Sequence, residues 1–236
     1  MGIQYFIAPE VFNRFPSYLR GVVIAREVHN GPSPDKLVES LRAAEAALRA
    51  RLDPESITSE PRIAAWREAY RLLGVKPGDF RPSVDALARR VLKGDPLPAI
   101  SRLVDIGTLA SIQYLAPIGA HAIDWVTQDI GLRPATGEET FAAFGSELVE
   151  HPLPGEIIFV EGNTVLTRRW TWRQAQHTLV VPETRAVEFN VDGLPPFVRP
   201  DVEQACQDVA RWVQEYCGGS VRYAVLSAEY PQISLD

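Results

Sequence analysis

The chain has 236 residues, of which 46% are hydrophobic and 23% are charged, so it can bury a sizeable core. No apolar run approaches the roughly 18 residues of a membrane span, and the N-terminal MGIQYFIAPE lacks the features of a secretory signal. Composition excludes membrane-spanning, fibrous, disordered and disulfide-scaffold classes. We expect a single domain over residues 1–236, located in the cytoplasm.

The net charge limits the expected partners, and the cysteine spacing limits the expected thiol chemistry. The net charge is −6, whereas proteins that wrap nucleic acid usually carry a basic excess, so at most a local basic patch is expected. Cys206 and Cys217 fall in one predicted helix, where their spacing corresponds to about 16 Å, too far for a disulfide. We interpret them as two inert thiols.

The N-terminal part, about residues 1–95, reads as short strands followed by helices. Apolar runs predict buried strands at 3–7 and 20–26. Ser33 is the expected N-cap of the next helix, with Pro34 at its first position. Apolar residues at helical spacing predict further helices from Ser59 or Glu60 to Gly74, from Ser83 to Gly94, and from Ser101 to about Leu115.

Beyond residue 115, glycine and proline divide the chain into short pieces, and strands then dominate. Strands are predicted at 156–160, 164–172, 177–181 and 186–191, with a hairpin turn at Gly162-Asn163. The C-terminal part, about 200–228, holds a helix from about Asp201 to Tyr216 and a final strand. This order indicates an α+β fold with mixed or antiparallel sheets and packed helices.

Common catalytic signatures are absent, since the chain lacks phosphate-loop, dinucleotide-binding, nucleophile-elbow and HExxH motifs, and its Cys and His spacing offers no zinc site. We therefore expect no cofactor and no metal. Among the histidines, His29 and His151 lie beside turns, and His177 alternates with apolar residues, which is compatible with a core-facing position in a strand.

His121 stands apart because it lies between small residues in PIGAHAID, with Asp124 three positions on. Small neighbours allow a ligand to approach closely, and a carboxylate can orient an imidazole for acid–base chemistry. A loop histidine that caps a short helix is the alternative, and the spacing leaves both open.

Two basic clusters are candidates for phosphate contact. In the predicted strand RRWTWR, Arg169 and Arg173 share one face; this is either a base-stacking surface or an ordinary half-buried strand with its tryptophans inward. The other cluster is either a solvated helix face or a phosphate patch, and its members are Arg81, Arg89, Arg90, Lys93 and Arg102.

Several segments together resemble the editing domain of bacterial phenylalanyl-tRNA synthetase beta subunits, the B3/4 domain, and more closely its free-standing relatives. These segments are LPAISRLVDIGT (97–108), HAID (121–124), GLRPATGEETFAAFGS (131–146) and WREAYRLLGVKPGDFRPSVDALARRVL (66–92), and the resemblance covers most of 60–195. It implies an α+β fold and hydrolysis of wrongly charged aminoacyl-tRNA, but no aminoacylation.

The resemblance also implies site residues. His121 matches the family's histidine, Thr108 stands where the family has asparagine, and the family's glutamate falls on Glu188 or Asn190. In the family, the glutamate helps to recognise tyrosine. Because of these substitutions, and because Trp170-Thr-Trp172 replaces a glycine-rich strand, the resemblance does not carry tyrosine specificity over to this chain. Substrate contacts are thus expected from Thr108, Glu188, Asn190 and Asp124, and RNA contacts from Arg89, Arg90, Arg169 and Arg173.

Three functions follow in order of preference. The first is hydrolysis, in trans, of the ester of misacylated tRNA, with His121 near the ester and no covalent nucleophile. The second is a non-catalytic module that binds tRNA or another RNA, and the third is a protein that binds a small molecule such as an amino acid. The expected partner is an aminoacyl-tRNA, with neither DNA nor a membrane.

Overall fold

The computed structural model describes residues 2–146 and 148–235; the remaining positions of the predicted domain lie outside these ranges. The helices are α1 (Pro9–Arg14), α2 (Asp35–Arg51), α3 (Pro61–Leu72), α4 (Ser83–Leu92), α5 (Arg102–Tyr114) and α6 (Arg199–Cys217). The strands are β1 (Gln4–Ile7), β2 (Leu19–Arg26), β3 (Ile118–Ala122), β4 (Ile130–Pro134), β5 (Phe141–Ala142), β6 (Val149–Glu150), β7 (Ile157–Glu161), β8 (Thr164–Arg168), β9 (Arg173–Gln174), β10 (Ala186–Gly193), β11 (Ser220–Leu226) and β12 (Gln232–Ser234).

The strands form two main sheets. The larger sheet has the order β12-β1-β4-β7-β8-β9, with β1 and β4 parallel and the other neighbours antiparallel. The smaller sheet has the order β11-β2-β10-β3 and is antiparallel throughout. The short strands β5 and β6 pair with each other. These sheets and helices confirm the predicted α+β fold.

Strand alternation places the smaller sheet between a helical layer and the larger sheet. On β10, Phe189 faces α5, where its ring lies close to Gly107. Its sequence neighbours Glu188 and Asn190 point the other way, because successive strand residues alternate in direction. Glu188 accepts a hydrogen bond from Tyr5 of the larger sheet at 2.8 Å. Polar side chains therefore lie between the two sheets.

The helical layer follows the periodicity of the sequence. On α2, Leu37, Leu41 and Leu48 are buried, as their spacing predicts. On α6 the buried face contains Cys206 and ends at Cys217. Both cysteines are free, and burial raises the pKa of their thiols to about 12 and about 11, which agrees with two inert thiols.

Three local predictions are wrong. Ser33 is not a cap: Pro34 precedes the first residue of α2, and the Ser33 hydroxyl instead donates to Asp105 Oδ2 at 2.6 Å. The predicted strand 164–172 ends at Arg168, and 177–181 form no strand, so His177 does not face the core but pairs with Glu161 at 2.7 Å. The short helix α1 was not predicted, since fewer than two turns give little periodicity.

Candidate functional site

A cavity of about 210 Å³ lies between the two sheets. We call it the central cavity. It is lined by side chains from both sheets, by the turn between β8 and β9, by the residue before β3 and by the first residue of α4. The lining residues are Arg20, Ser83, Pro117, Ile118, Gly119, His121, Phe159, Thr167, Trp170, Thr171, Trp172, Arg173, Gln174, Asn190 and Asp192. Such a concave site with a few convergent polar groups is typical of a small-ligand pocket.

His121 lies on β3, with its ring buried in the wall of the central cavity. Its Nδ1 is hydrogen-bonded to the Thr178 hydroxyl at 2.7 Å, and its Nε2 lies 3.3 Å from Thr167 Oγ1. Burial, together with the nearby Arg20 guanidinium, lowers the pKa of the imidazole to about 3. The ring is therefore neutral at physiological pH and can donate and accept one hydrogen bond each.

An ion pair lies beside His121 at the base of the central cavity. Arg20 Nε donates to Asp192 Oδ1 at 2.7 Å, and both side chains are buried. The Tyr18 hydroxyl also donates to Asp192, and Arg20 Nη1 donates to the Tyr5 hydroxyl at 3.1 Å. Sharing hydrogen bonds in this way offsets part of the cost of burying both charges.

Glu188 and Asn190 each carry a buried oxygen without a hydrogen-bond partner among the described residues. Glu188 is opposite His121 in the β3–β10 register, and burial raises the pKa of its carboxyl to about 8, so the group is mainly protonated at pH 7. Asn190 is opposite Gly119 and donates from Nδ2 to Asp192 Oδ2 at 2.8 Å.

The free oxygen of Asn190 is the more informative of the two, because Asn190 lines the central cavity. A Cβ at Gly119 would lie only 2.9 Å from Asn190 Oδ1, so glycine leaves room for the amide. A buried acceptor is costly when no protein donor reaches it, and a donor from a ligand or water would satisfy it.

Thr108 and Asp124, both expected to contact substrate, lie elsewhere. The Thr108 hydroxyl donates to the carbonyl of Val104 within α5 at 3.0 Å, and the residue does not line the central cavity. Asp124 Oδ1 accepts hydrogen bonds from the backbone N–H groups of Arg185 and Ala186 at 2.9 and 3.0 Å. Asp124 therefore fixes the chain before β10, while Thr178, and not Asp124, contacts the His121 ring.

The expected RNA-contact arginines differ in their surroundings. Arg173 is exposed and lines the central cavity, and Arg90 is exposed on α4. Arg89 is half-buried and donates from Nε to buried Asp85 at 2.7 Å. Arg169 is largely buried, with its guanidinium 3.6 Å from the centroid of the Phe80 ring. Arg90 and Arg173 thus remain the two most accessible of the four.

Residues 169 and 170 form a left-handed turn that ends the predicted strand. Arg169 has φ +45° and Trp170 has φ +66°. The turn buries the Trp170 indole against Phe15, Tyr18 and Trp66, with ring centroids 4.9 to 5.0 Å apart. Arg168 is buried and paired with carboxylates, and the predicted strand is wrong for residues 169–172, so the two-faced arrangement expected there does not form.

Sequence reasoning missed several residues of the site: Tyr5, Arg20, Thr167, Gln174, Thr178 and Asp192. One signal was present, because Arg20 and Asp192 are charged residues at the ends of apolar strands and buried charges need partners. Within 2–146 and 148–235, no group of three or more His, Cys, Asp or Glu residues could hold a metal ion. No helix in the same ranges is both long and apolar enough to cross a membrane.

The chain belongs to the B3/4 domain family, whose match covers residues 65–218. This range includes most of α3, all of α4 to α6, four of the six strands of the larger sheet and two of the four strands of the smaller sheet. The family match confirms the resemblance found in the sequence. Among solved structures, the chain is similar to an N-terminal fragment of the phenylalanyl-tRNA synthetase beta-subunit from Pyrococcus horikoshii, with a TM-score of 0.48 and 12% identity.

That similarity covers 94% of this chain but 51% of the fragment, so the chain spans about half of the fragment's length. No curated protein matches the chain.

Proposed function

We propose that this B3/4 domain hydrolyses the ester bond of misacylated aminoacyl-tRNA in its central cavity. The supporting observation is that His121, the residue of the family's histidine motif, lines the same buried cavity as Thr167 and the unpartnered Asn190 Oδ1. A polar cavity beside a neutral imidazole suits the positioning of a water molecule against an acyl carbon.

In the proposed reaction, water adds to the ester carbonyl and the bond between the acyl carbon and the ribose oxygen breaks. One water proton ends on the departing ribose hydroxyl, and the amino acid leaves as the carboxylic acid. Because its pKa is about 3, His121 is too weak a base to take that proton efficiently. We assign it the role of holding the water by hydrogen bonds, with Thr178 fixing the ring.

The aminoacyl group would occupy the base of the cavity. There, Asn190 Oδ1 is an acceptor for an N–H or O–H of the ligand, while the aromatic walls formed by Phe159 and Trp170 would contact its apolar part. Glu188 lies behind this layer and is not among the lining residues, so we assign it a supporting position.

A basic surface would receive the RNA. Ser83, the first residue of α4, lines the central cavity, and exposed basic residues lie before and along the same helix: Arg81, Arg90 and Lys93. Together with Arg173 they could contact successive phosphates leading away from the cavity. This is a local basic patch on an acidic chain, as the composition requires.

The test is deacylation of a panel of mischarged tRNAs by the protein and its His121→Gln variant. We expect turnover of particular aminoacyl-tRNAs by the protein. Turnover should fall about a hundredfold in the variant, because the attacking water is no longer held in position. His151→Gln, at an exposed histidine outside the central cavity, is the matched control and should leave the rate unchanged. The rate should also lack an inflection from His121 near pH 6.5, because its pKa lies far lower.

Absence of turnover on the whole panel, with the protein folded, would overturn the hydrolase proposal. RNA binding that weakens steeply with salt would then select the non-catalytic RNA-binding function. Stabilisation by a free amino acid, without any effect of tRNA, would instead select the small-molecule-binding function.

A further inference from the structure

A second cavity, of about 310 Å³, is lined by Arg169, whereas the residues that follow Arg169 line the central cavity. We call it the Arg169 pocket. Its walls come from the ends of α1 and α3, the loop before β7 and the 169–170 turn. No residue that lines the Arg169 pocket also lines the central cavity.

The pocket combines apolar walls with an excess of positive charge. Leu73, Val75, Leu153, Pro154 and Ile157 supply the apolar surface. The charged lining residues are two arginines, Arg14 and Arg169, and one carboxylate, Glu156. An anion with an apolar body would complement both features.

Glu156 cannot neutralise Arg169 well, because it is already bound to Arg168. Its Oε1 and Oε2 accept from Arg168 Nε and Nη2 at 2.9 and 2.8 Å, whereas Arg169 Nη2 is 3.9 Å from Oε2. Arg169 Nη1 is buried and has no hydrogen-bond partner among the described residues. Burial lowers the pKa of Arg169, while the pKa of Arg168, hydrogen-bonded to Glu156, is raised.

The backbone at this point is held in an unusual conformation. Arg169 lies in the left-handed region, which is unfavourable for a residue other than glycine. Its carbonyl accepts from the Tyr70 hydroxyl at 2.5 Å, which ties the turn to α3 at the wall of the pocket. Such strain persists where the surrounding structure imposes it, and it is concentrated at ligand sites.

We propose that the Arg169 pocket is a second ligand site, which binds a small carboxylate with an apolar body. The carboxylate pairs with the Arg169 guanidinium, which Glu156 approaches only to 3.9 Å, with Arg14 contributing charge, and the apolar body packs against the Leu73, Val75 and Ile157 side of the pocket. A carboxylate matches the planar guanidinium better than a spherical anion does. This proposal does not depend on the hydrolase proposal above.

Calorimetric titration with phenylacetate tests it, with phenylacetamide as the neutral ligand of the same shape. We expect phenylacetate to bind about tenfold or more tightly than the amide, since the guanidinium contact is charge-assisted. Arg169→Gln should remove this preference. Arg173→Gln, at the mouth of the central cavity, is the matched control and should leave it unchanged.

Val75→Phe provides an independent test of the proposal, because the larger side chain fills the apolar part of the pocket while every charge is kept. Phenylacetate binding should fall about tenfold or more here too, through lost space, while circular dichroism shows that the fold is kept. The proposal is overturned if acid and amide bind equally, or if Arg169→Gln or Val75→Phe leaves phenylacetate binding unaffected. It is also overturned if binding is lost in Arg173→Gln, or if millimolar phenylacetate produces no heat.

Discussion

The buried carboxyl of Glu188 predicts how the stability of the protein depends on pH. Burial, with Asp192 adding repulsion, raises its pKa from 4.5 to about 8, although Arg20 and the hydrogen bond from Tyr5 act in the opposite direction. Between these two pH values the unfolded chain is ionised at this position and the folded chain is protonated. The folded state therefore binds more protons, and the free energy of unfolding falls as pH rises from 4.5 to 8.

The size of the Glu188 effect on the free energy of unfolding is clearest above pH 6.5. Below that value His121 acts in the opposite direction, because its pKa falls from 6.5 to about 3 on folding and it loses protons when the chain folds. Between pH 6.5 and about 8 only the Glu188 effect of this pair remains. At about 1.4 kcal/mol per pH unit, it lowers the free energy of unfolding by about 2 kcal/mol over this range.

Glu188→Gln removes the titrating group but keeps the shape of the protonated acid and the acceptor for Tyr5. Urea unfolding at pH 6.5 and at pH 8 measures the difference between the variant and the unmodified protein. This difference should move by about 2 kcal/mol in favour of the variant. The exposed Glu183→Gln is the matched control, and its difference should stay constant. If the Glu188→Gln difference also stays constant, the carboxyl titrates normally and the reasoning is refuted.

Two further substitutions test the packing that supports the site. Gly21→Ala places a Cβ 2.2 Å from Cys206 Sγ at the β2–α6 contact, so we expect a loss of about 1–3 kcal/mol in urea unfolding. Gly78→Ala, which meets open space, should change stability by less than about 0.5 kcal/mol. Asp85→Asn takes the charge from a buried carboxylate that holds two guanidinium groups, and should cost about 2–4 kcal/mol. For comparison, the exposed Glu68→Gln should cost less than about 1 kcal/mol.

The helices could be predicted from the sequence because their apolar residues repeat locally. The helix predicted from Ser83 to Gly94 corresponds to α4 at Ser83–Leu92, and the one predicted from Ser101 to about Leu115 corresponds to α5 at Arg102–Tyr114. In each, the contacts that fix the pattern lie on one face of a single element. Among the strands, the one predicted at 186–191 corresponds to β10, which is buried on both faces, and the one predicted at 3–7 corresponds to the partly buried β1.

The 164–172 segment shows where local pattern fails. Its alternation fits a strand, but Arg168 is drawn to Glu156, and the Trp170 indole packs against Trp66, about a hundred positions earlier. These contacts offset the cost of two successive left-handed residues. A periodicity argument contains no information about such distant partners, so it cannot locate the end of β8.

The residues of the candidate site likewise include some that the local sequence could predict and others that it could not. His121 could be found because its short motif carries a family resemblance. Its hydrogen-bond partner Thr178 lies 57 positions away, and Arg20 pairs with Asp192 across 172 positions. Arg20 and Asp192 are opposite each other on β2 and β10, and such pairs form only when distant parts of the chain come together. Sequence reasoning therefore took Asp124, the nearest carboxylate in sequence, as the partner of the imidazole.

The buried polar side chains between the two sheets, which we call the polar layer, are not explained by a contribution to the stability of the fold. A buried ion pair such as Arg20–Asp192 is often replaceable by apolar residues of similar volume at no loss of stability. The same layer leaves Asn190 Oδ1 without a partner among the described residues and raises the pKa of Glu188, and both features cost free energy. Arg20, Asn190 and Asp192 line one cavity together with the aromatic rings of Phe159, Trp170 and Trp172, and Glu188 lies next to them in sequence on β10. The localisation of these costs at the cavity is what binding of a polar ligand predicts, because the ligand supplies the missing donor.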